Sequence, residues 1–172
     1  ARELLDLLEA GAVDRVVDVR SHPASRRFPW FNHDALATTL GRHGIAYDWM
    51  GRSLGGKRRP DPDAGARHPA LPAALAPFAR HMEGVRFAES CRALVGEAGS
   101  SERVALLCAE LDPERCHRWL IADYLVLVLG ARVEHLRTPG RVEQHRVTPA
   151  ARVHGTQTLL YGGGRTRTLF GG

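Results

Sequence analysis

Residues 13–50 contain a helical pattern between two short apolar strands, and this order constrains the fold more than any other feature. VDRVVDVR (13–20) and IAYDWM (45–50) are short and rich in apolar residues, as buried strands are. Between them, Asn32 is a candidate N-cap for a helix that ends at Gly44. Because two strands joined through a helix run parallel in one sheet, the pattern predicts a parallel crossover.

The rest of the chain continues this alternation. Asp112 followed by Pro113 predicts the start of a strongly apolar helix that Gly130 ends. Further helices are predicted over 2–10, 73–82 and 86–98, and further strands over 103–110 and 132–136.

Two segments are predicted to lie outside the sheet. Residues 51–72 are rich in glycine and proline and predict a long mobile loop, a length that is usually functional or disordered. Residues 150–172 predict a hairpin turned at the glycines 162–164, or a frayed tail. We therefore expect a single α/β domain over residues 1–172, with a mostly parallel, Rossmann-like sheet and helices on both faces.

Composition supports one compact domain. The chain has 172 residues, of which 44% are hydrophobic, and this is enough for a sizeable core. No run approaches the roughly 18 apolar residues of a membrane span, and nothing resembles a signal peptide. Three cysteines at irregular spacing favour reduced thiols over a disulfide scaffold. We expect a cytoplasmic protein with no membrane partner.

The positive charge of the chain is concentrated in one region. The net charge is +5, and residues 20–59 hold eight lysines and arginines against two acids. Such a cluster predicts an anionic partner, either a phosphate-bearing substrate or nucleic acid.

Polar side chains follow the predicted strands, where ligands gather in open parallel sheets. Asp18 and Arg20 end the first strand, and Cys108 and Glu110 end the third. Asp18 is either catalytic or a structural acid that pairs with an arginine or with backbone donors. Glu110 either interacts with the dipole of the next helix or acts as a general base, if it is desolvated.

The cysteines and their neighbours leave several interpretations open. Cys108 is either a small buried hydrophobe or a thiolate whose pKa is lowered by a helix N-terminus and nearby arginines. Cys91 is expected in the core and Cys116 in packing, while His117 and Arg118 can point into the crevice. Zinc bound by Cys108, Cys116 and His117 is an alternative. The short paired spacing of common zinc sites is absent, so we predict no metal and no other cofactor.

A basic and aromatic loop follows the first strand. In SHPASRRFPWFN, guanidinium groups beside Phe28 and Trp30 can hold phosphate and stack a base, although aromatic residues also anchor loops to a core. Gly55 and Gly56 precede three basic residues and suggest a backbone close to an anion. The predicted catalytic residues are Asp18, Cys108, Glu110 and His117, and the predicted anion-binding residues are Arg20, Ser25, Arg26, Arg27, Gly55, Gly56 and Arg118.

Two segments together resemble a known family. VDVRSHPASRRF, continuing to LGG, and LLCAELDPERCHRWL resemble the bacterial and archaeal domain-of-unknown-function family 488, over roughly residues 4–136. The resemblance implies a compact α/β domain with one polar site shared by the two signatures. It also implies a strand ending in a Gly-His pair ahead of the helix with which this sequence starts. The residues at the family signatures are Asp18, Arg20, Pro23, Ser25, Arg26, Leu54, Gly55, Gly56, Cys108, Glu110, Cys116, His117 and Arg118.

The leading functional hypothesis is an enzyme that acts on a phosphate-bearing substrate, a nucleotide or nucleic acid. Arginines would bind the anion, Glu110 or Asp18 would transfer protons, and Cys108 is the alternative reactive group. A non-catalytic nucleic-acid-binding module is the second hypothesis, because of the charge in residues 20–59. A redox or metal-sensing domain that uses Cys108 and Cys116 is the third.

Overall fold

The structure, a computed structural model, describes residues 2–97 and 101–162 and contains a three-stranded parallel sheet. Its strands β1 (Arg15–Asp18), β2 (Ala46–Trp49) and β3 (Val104–Leu107) lie in the order β2-β1-β3. The parallel crossover that residues 13–50 predict is therefore confirmed, although each strand is shorter than predicted.

β1 is the central strand, and its register brings the three strand ends together. Asp18 lies opposite Trp49 of β2 and Leu107 of β3. Successive side chains of a strand point to opposite faces, so Val16 and Val17 belong to two different hydrophobic clusters. Both faces of the sheet are consequently covered, and the polar residues after β1 and β3 emerge at one edge.

Helices supply the two clusters. α1 (Arg2–Ala10) and α2 (His33–Arg42) contribute leucines to the Val16 side. The Val17 side is covered by α5 (Ala76–Met82), α6 (Val85–Glu97) and α7 (His117–Leu127).

Two local predictions need correction. The segment 51–72 contains two short helices, α3 (Gly51–Leu54) and α4 (Ala64–Arg67), with Leu54 and Ala64 fully buried, so it is not one long loop. The helix expected from Pro113 begins only at His117. Asp112 instead caps a 3-10 turn, Pro113–Arg115, because the backbone of Cys116 is extended (φ −117°, ψ 147°) and interrupts the helix.

Two antiparallel hairpins follow α7. β4 (Glu134–Thr138) pairs with β5 (Arg141–Gln144), so the strand predicted at 132–136 exists but lies outside the parallel sheet. β6 (Ala151–His154) pairs with β7 (Thr158–Tyr161). A hairpin is therefore present within 150–172, but its turn is near Gly155, and the turn predicted at 162–164 lies mostly outside the described residues.

α7 contacts both the larger hydrophobic cluster and the C-terminal hairpins. Leu120, Ile121 and Tyr124 pack into the larger cluster, and the same helix buries Asp123 against the hairpins. Within residues 2–97 and 101–162, no helix is both long and apolar enough to cross a membrane.

Candidate active site

A cleft of about 420 Å³ opens where β1 and β3 end. Its walls are residues 20–22 after β1, Gly56 and Lys57 after α3, Leu75, residues 108–110 after β3, and residues 115–117 at the start of α7. The cleft thus lies at the carboxyl edge of the parallel sheet, as the general rule for open α/β sheets predicts. Arg20, Cys108, Glu110 and His117, drawn from three segments of the chain, meet around it.

His117 forms the floor of the cleft together with two thiols. Its Nε2–H donates to the carbonyl of Val19 over 3.2 Å, so the other ring nitrogen, Nδ1, is directed away from that carbonyl. Nδ1 lies 3.5 Å from Sγ of Cys116 and 4.0 Å from Sγ of Cys108. The imidazole is therefore oriented by the backbone of β1 so that Nδ1 faces both sulfurs.

Packing fixes the ring of His117 from both sides. Phe78 of α5 contacts it edge to face, with 4.9 Å between the ring centroids. On the other side Gly56 lies so close that a Cβ there would be 2.4 Å from Nδ1. Gly55 likewise has no room for a side chain, because its Cβ would lie 2.5 Å from Oγ of Ser21. These contacts account for both glycines without an anion.

The two thiols of the cleft differ in the direction in which their pKa values are shifted. The pKa of Cys116 is lowered by a hydrogen bond from the Cys108 thiol, and further by His117 and the backbone N–H of Arg118. Nε of Arg118 also lies 3.4 Å from Sγ of Cys116. The pKa of Cys108 is raised, because its thiol donates to Cys116 and is partly buried. Of the two thiols, Cys116 rather than Cys108 therefore has the lowered pKa, and Cys116 is at the same time buried, as expected.

Cys91 behaves differently from both. It is fully buried in the larger hydrophobic cluster, as expected, and burial raises its pKa to about 12. Cys91 can therefore serve as a buried control when the reactivity of the two cleft thiols is measured.

Three cations line the cleft: Arg20, Lys57 and Arg115. Arg20 is held rigidly, since Nε and Nη2 donate to Asp18 and Nη2 also donates to the carbonyl of Phe31 over 2.9 Å. Its Nη1 has no partner in the part of the chain that the structure describes. Although burial opposes the charge, hydrogen bonding to Asp18 raises the pKa of Arg20, so the guanidinium stays cationic.

Asp18 lies behind this arginine with its carboxylate fully used. It is completely buried and accepts from Nε, Nη2 and the backbone N–H of Arg20 and, over 2.7 Å, from the hydroxyl of Tyr47. Burial and the hydrogen bond to Asp18 raise the pKa of Tyr47, so its hydroxyl keeps the proton that it donates. These contacts favour the structural alternative for Asp18, which positions Arg20.

Glu110 and Arg118 have roles that the sequence did not predict. Glu110 is exposed, so the desolvation on which its role as a general base depended is absent. Its carbonyl accepts from Nη2 of Arg118. With Nε against Cys116, the guanidinium of Arg118 bridges the end of β3 and the start of α7 and supports the cluster.

Ser25, Arg26 and Arg27 lie away from this cleft. Ser25 and Arg26 line a second depression of about 360 Å³ with Ala24, Pro29 and Asn32. The N–H of Ser25 donates to Oδ1 of Asn32, which is why the Asn32 side chain does not cap α2. Arg27 lies over the ring of Phe28, 5.3 Å from its centroid. The single site predicted from the sequence is therefore two separate surfaces.

Sequence reasoning missed some residues of the cleft. Ser21, His22 and Arg115 were not among the predicted site residues, although all three line it. Oγ of Ser21 accepts from the N–H of Lys57 over 3.0 Å and so connects the two loops. The position of Arg115 directly before Cys116 was a usable signal, since residues just ahead of this helix lie at the carboxyl edge of the sheet.

The chain belongs to a family without an assigned activity. The family model described as Domain of unknown function DUF488 matches residues 1–125, and the chain is a member of that family. The match spans the parallel sheet, the whole cleft and most of α7, whereas both hairpins lie beyond it. No curated protein and no solved structure matches the chain.

Proposed function

We propose that this member of the DUF488 family is an enzyme that acts on a phosphate-bearing substrate, a nucleotide or nucleic acid. The observation that carries the proposal is the position of Arg20, Lys57 and Arg115 around one cleft whose floor is the cysteine–histidine cluster. Cations at the walls and reactive groups at the floor are the two parts that a phosphate-directed active site needs.

The walls bind the anion. Arg20 lines the cleft and its guanidinium is held by Asp18, so little side-chain entropy is lost when it binds a phosphate oxygen. Lys57 and Arg115 add two charges, against the single acid Glu110 of the lining. Excess positive charge in a concave site concentrates anionic substrates there.

The floor supplies the reacting groups. Sγ of Cys116 lies 3.5 Å from Nδ1 of His117, so a thiol of lowered pKa and an imidazole stand together there. The reacting end of the substrate therefore lies over Cys108, Cys116 and His117, while its phosphate contacts the walls.

The surroundings of the cleft suit this role. We infer a single, Rossmann-like domain, because helices cover both faces of the parallel sheet and the cleft lies at its carboxyl edge. Three free thiols suit a reducing compartment such as the cytoplasm.

The proposal is tested by protection of the cleft thiols. Folded protein is alkylated with iodoacetamide at increasing concentrations of ATP or a single-stranded oligonucleotide, and each cysteine is quantified by mass spectrometry. We expect protection of Cys116 and Cys108. In Lys57→Ala and Arg115→Ala the protecting concentration rises roughly 10-fold, because a charge-assisted contact of about 1.5 kcal/mol is lost.

Arg86→Ala is the matched control, since it removes one exposed arginine from α6, outside the cleft lining. Turnover of any protecting compound is then followed by product analysis, with Cys116→Ser as the inactive variant. Equal protection curves for Lys57→Ala, Arg115→Ala and Arg86→Ala, or no protection by any phosphate compound, contradict the proposal.

A non-catalytic nucleic-acid-binding module is the second candidate, because of the loop between β1 and α2. Phe28 and Trp30 are 42% and 46% exposed and lie beside Arg26 and Arg27, an arrangement that can stack bases next to phosphates. In this case Trp30→Ala weakens oligonucleotide binding by about 1–3 kcal/mol, whereas Cys116→Ser has no effect. A salt titration of oligonucleotide affinity for both variants separates the two candidates.

A further inference from the structure

We propose that Cys108, Cys116 and His117 bind one thiophilic divalent metal ion, with Zn²⁺ as the preferred ion and one coordination position open to the cleft. The two Sγ atoms and Nδ1 all lie within 4.8 Å of one another. Among residues 2–97 and 101–162, this is the one group of three potential ligands that converges in this way. The inference deepens the proposed function, because it names a group that the floor of the same cleft holds.

The distances fit tetrahedral zinc with small adjustments. With Zn–S near 2.3 Å and Zn–N near 2.0–2.1 Å, ligand atoms of a tetrahedral site lie roughly 3.5–3.8 Å apart. Nδ1 of His117 is 3.5 Å from Sγ of Cys116 and 4.0 Å from Sγ of Cys108. The two sulfurs lie within 4.8 Å of each other, so shifts of at most about 1 Å, within the reach of χ1 changes, complete the tetrahedral spacing.

The ligands are already oriented by their neighbours. Donation from Nε2 of His117 to the Val19 carbonyl directs Nδ1 at the sulfurs, and such an outer hydrogen bond usually accompanies a metal-bound histidine. Phe78 and Gly56 hold the ring in place. Nε of Arg118 points at Sγ of Cys116, a contact suited to a metal-bound thiolate.

The position of the three residues leaves room for a fourth ligand. All three line the cleft, so the remaining position faces the space where a water molecule or a substrate oxygen can enter. Three protein ligands with one open position is the pattern of catalytic zinc, whereas structural zinc is enclosed by four. Two thiolates balance the charge of the ion, and Arg20, Lys57 and Arg115 remain available for the anion.

The sequence argued against a metal because the ligands are not in short pairs. Cys108 follows the end of β3, and Cys116 and His117 begin α7, so their convergence depends on the extended backbone of Cys116 between the 3-10 turn and the helix. In a continuous helix from Pro113, Cys116 would lie within the first turns and its side chain would follow the helical surface.

Metal titration of the reduced, chelator-stripped protein is the direct test. Co²⁺ is added as a spectroscopic probe and then displaced by Zn²⁺. We expect one equivalent of Co²⁺, a sulfur-to-cobalt charge-transfer band, and the intense visible absorption of tetrahedral cobalt. Cys116→Ser and His117→Gln should lower the affinity at least 100-fold, while Cys91→Ala, which removes the buried reference thiol, leaves it unchanged.

Gly56→Ala provides a variant with all three ligands intact. The added Cβ overlaps His117, so we expect a 10- to 100-fold loss of Co²⁺ affinity, the usual cost of disturbing the orientation of a metal ligand. Circular dichroism of each variant shows whether it is folded, so that a loss of binding is read only on folded protein.

Two results overturn the inference. One is Co²⁺ binding without the charge-transfer band, or with equal affinity in Cys116→Ser. The other is rapid formation of a Cys108–Cys116 disulfide with diamide in a protein that binds no Co²⁺, which makes the thiols a redox pair. Because the titration uses no substrate, its outcome is independent of the protection experiment. Metal binding without phosphate protection leaves the metal site standing and removes the proposed function.

Discussion

Helix α7 carries two polar clusters, and they differ in how completely their hydrogen bonds are satisfied. At its start, Cys116 and His117 face Cys108 across the cleft floor, with Nδ1 and both sulfurs directed at one another. Further along, Asp123 is completely buried and accepts from His145, Thr148 and Tyr161, the partners that dock the hairpins.

This difference distinguishes a cluster that can bind or react from a cluster that only holds the fold together. A buried carboxylate with every lone pair used can only hold its neighbours in place. A cluster with spare lone pairs beside a cleft can bind or react. The family match reinforces this division, since residues 1–125 include the whole cysteine–histidine cluster but none of the hairpin partners of Asp123.

The largest effect is expected from the architectural cluster. Asp123→Ala leaves the His145 ring, the Thr148 hydroxyl and the Tyr161 hydroxyl without their acceptor, so we expect a loss of about 3–5 kcal/mol in the free energy of unfolding. Urea denaturation followed by circular dichroism measures it. Cys116→Ser should lose about 1 kcal/mol or less, and an equal loss would place the cysteine cluster among the architectural elements.

The next effect tests how tightly the reactive cluster is packed. Gly56→Ala should cost about 1–3 kcal/mol, because its Cβ would overlap the His117 ring and overpacking must be relieved. Gly41→Ala is the matched control. It lies in α2 with open space around it, and should stabilise the protein by about 0.5 kcal/mol. Equal unfolding midpoints for the two variants would show that the His117 ring can move aside freely.

A smaller effect measures how much one hydroxyl group contributes to the stability that the Asp123 cluster provides. Tyr161→Phe removes one of several donors to Asp123, so the unfolding free energy should fall by about 1 kcal/mol. Denaturation of the single variants and of the Asp123→Ala/Tyr161→Phe double variant forms a cycle. Strict additivity would mean that the hydroxyl and the carboxylate do not interact.

The smallest effect is a pH dependence at the edge of the same cluster. Nε2 of His135 lies 3.0 Å from Nδ1 of His145, and burial, together with the charge of His145, lowers the pKa of His135 to about 4. Between pH 6.5 and about 4 the unfolded chain therefore binds a proton that the folded protein does not. Stability should fall as the pH is lowered through this window, by less than about 1 kcal/mol after allowance for solvent screening.

His135→Gln should flatten this part of the stability curve. Burial also lowers the pKa of His68 and His81, and both histidines therefore also reduce stability as the pH falls. The contribution of His135 is the difference in slope between the parent protein and the variant. Identical slopes in urea denaturation at pH 4.5 and pH 6.5 would show that His135 does not titrate differently in the two states.

Much of the fold follows from local patterns in the sequence. Valines in 13–20, the helix that begins after Asn32 and the glycine at 44 specify two strands and a crossover helix, because caps and periodicity act between neighbouring residues. The parallel sheet and its polar edge follow from that order. Hence the sequence alone places Arg20, Cys108, Glu110 and His117 around one crevice.

The predictions that failed concern where loop residues, and partners distant in the sequence, lie in three dimensions. Arg26 and Arg27 were grouped with Arg20 by their proximity in sequence, but the loop carries them to a second surface. Asp123 drew no attention inside an apolar helix, since its partners lie 22 to 38 residues further along the chain.

By itself, the sequence determined the order of helices and strands, the parallel crossover, the concentration of charge in residues 20–59 and the family signatures. Only the tertiary structure showed that Cys116 has the lowered pKa of the two cleft thiols, that Gly56 leaves space for the His117 ring, and that the potential ligand atoms of Cys108, Cys116 and His117 converge. The physical reason is the separation along the chain of the residues that interact. Helix caps and periodicity depend on residues a few positions apart, whereas the charge of a thiol and the geometry of a ligand set depend on atoms that folding alone brings within 4.8 Å.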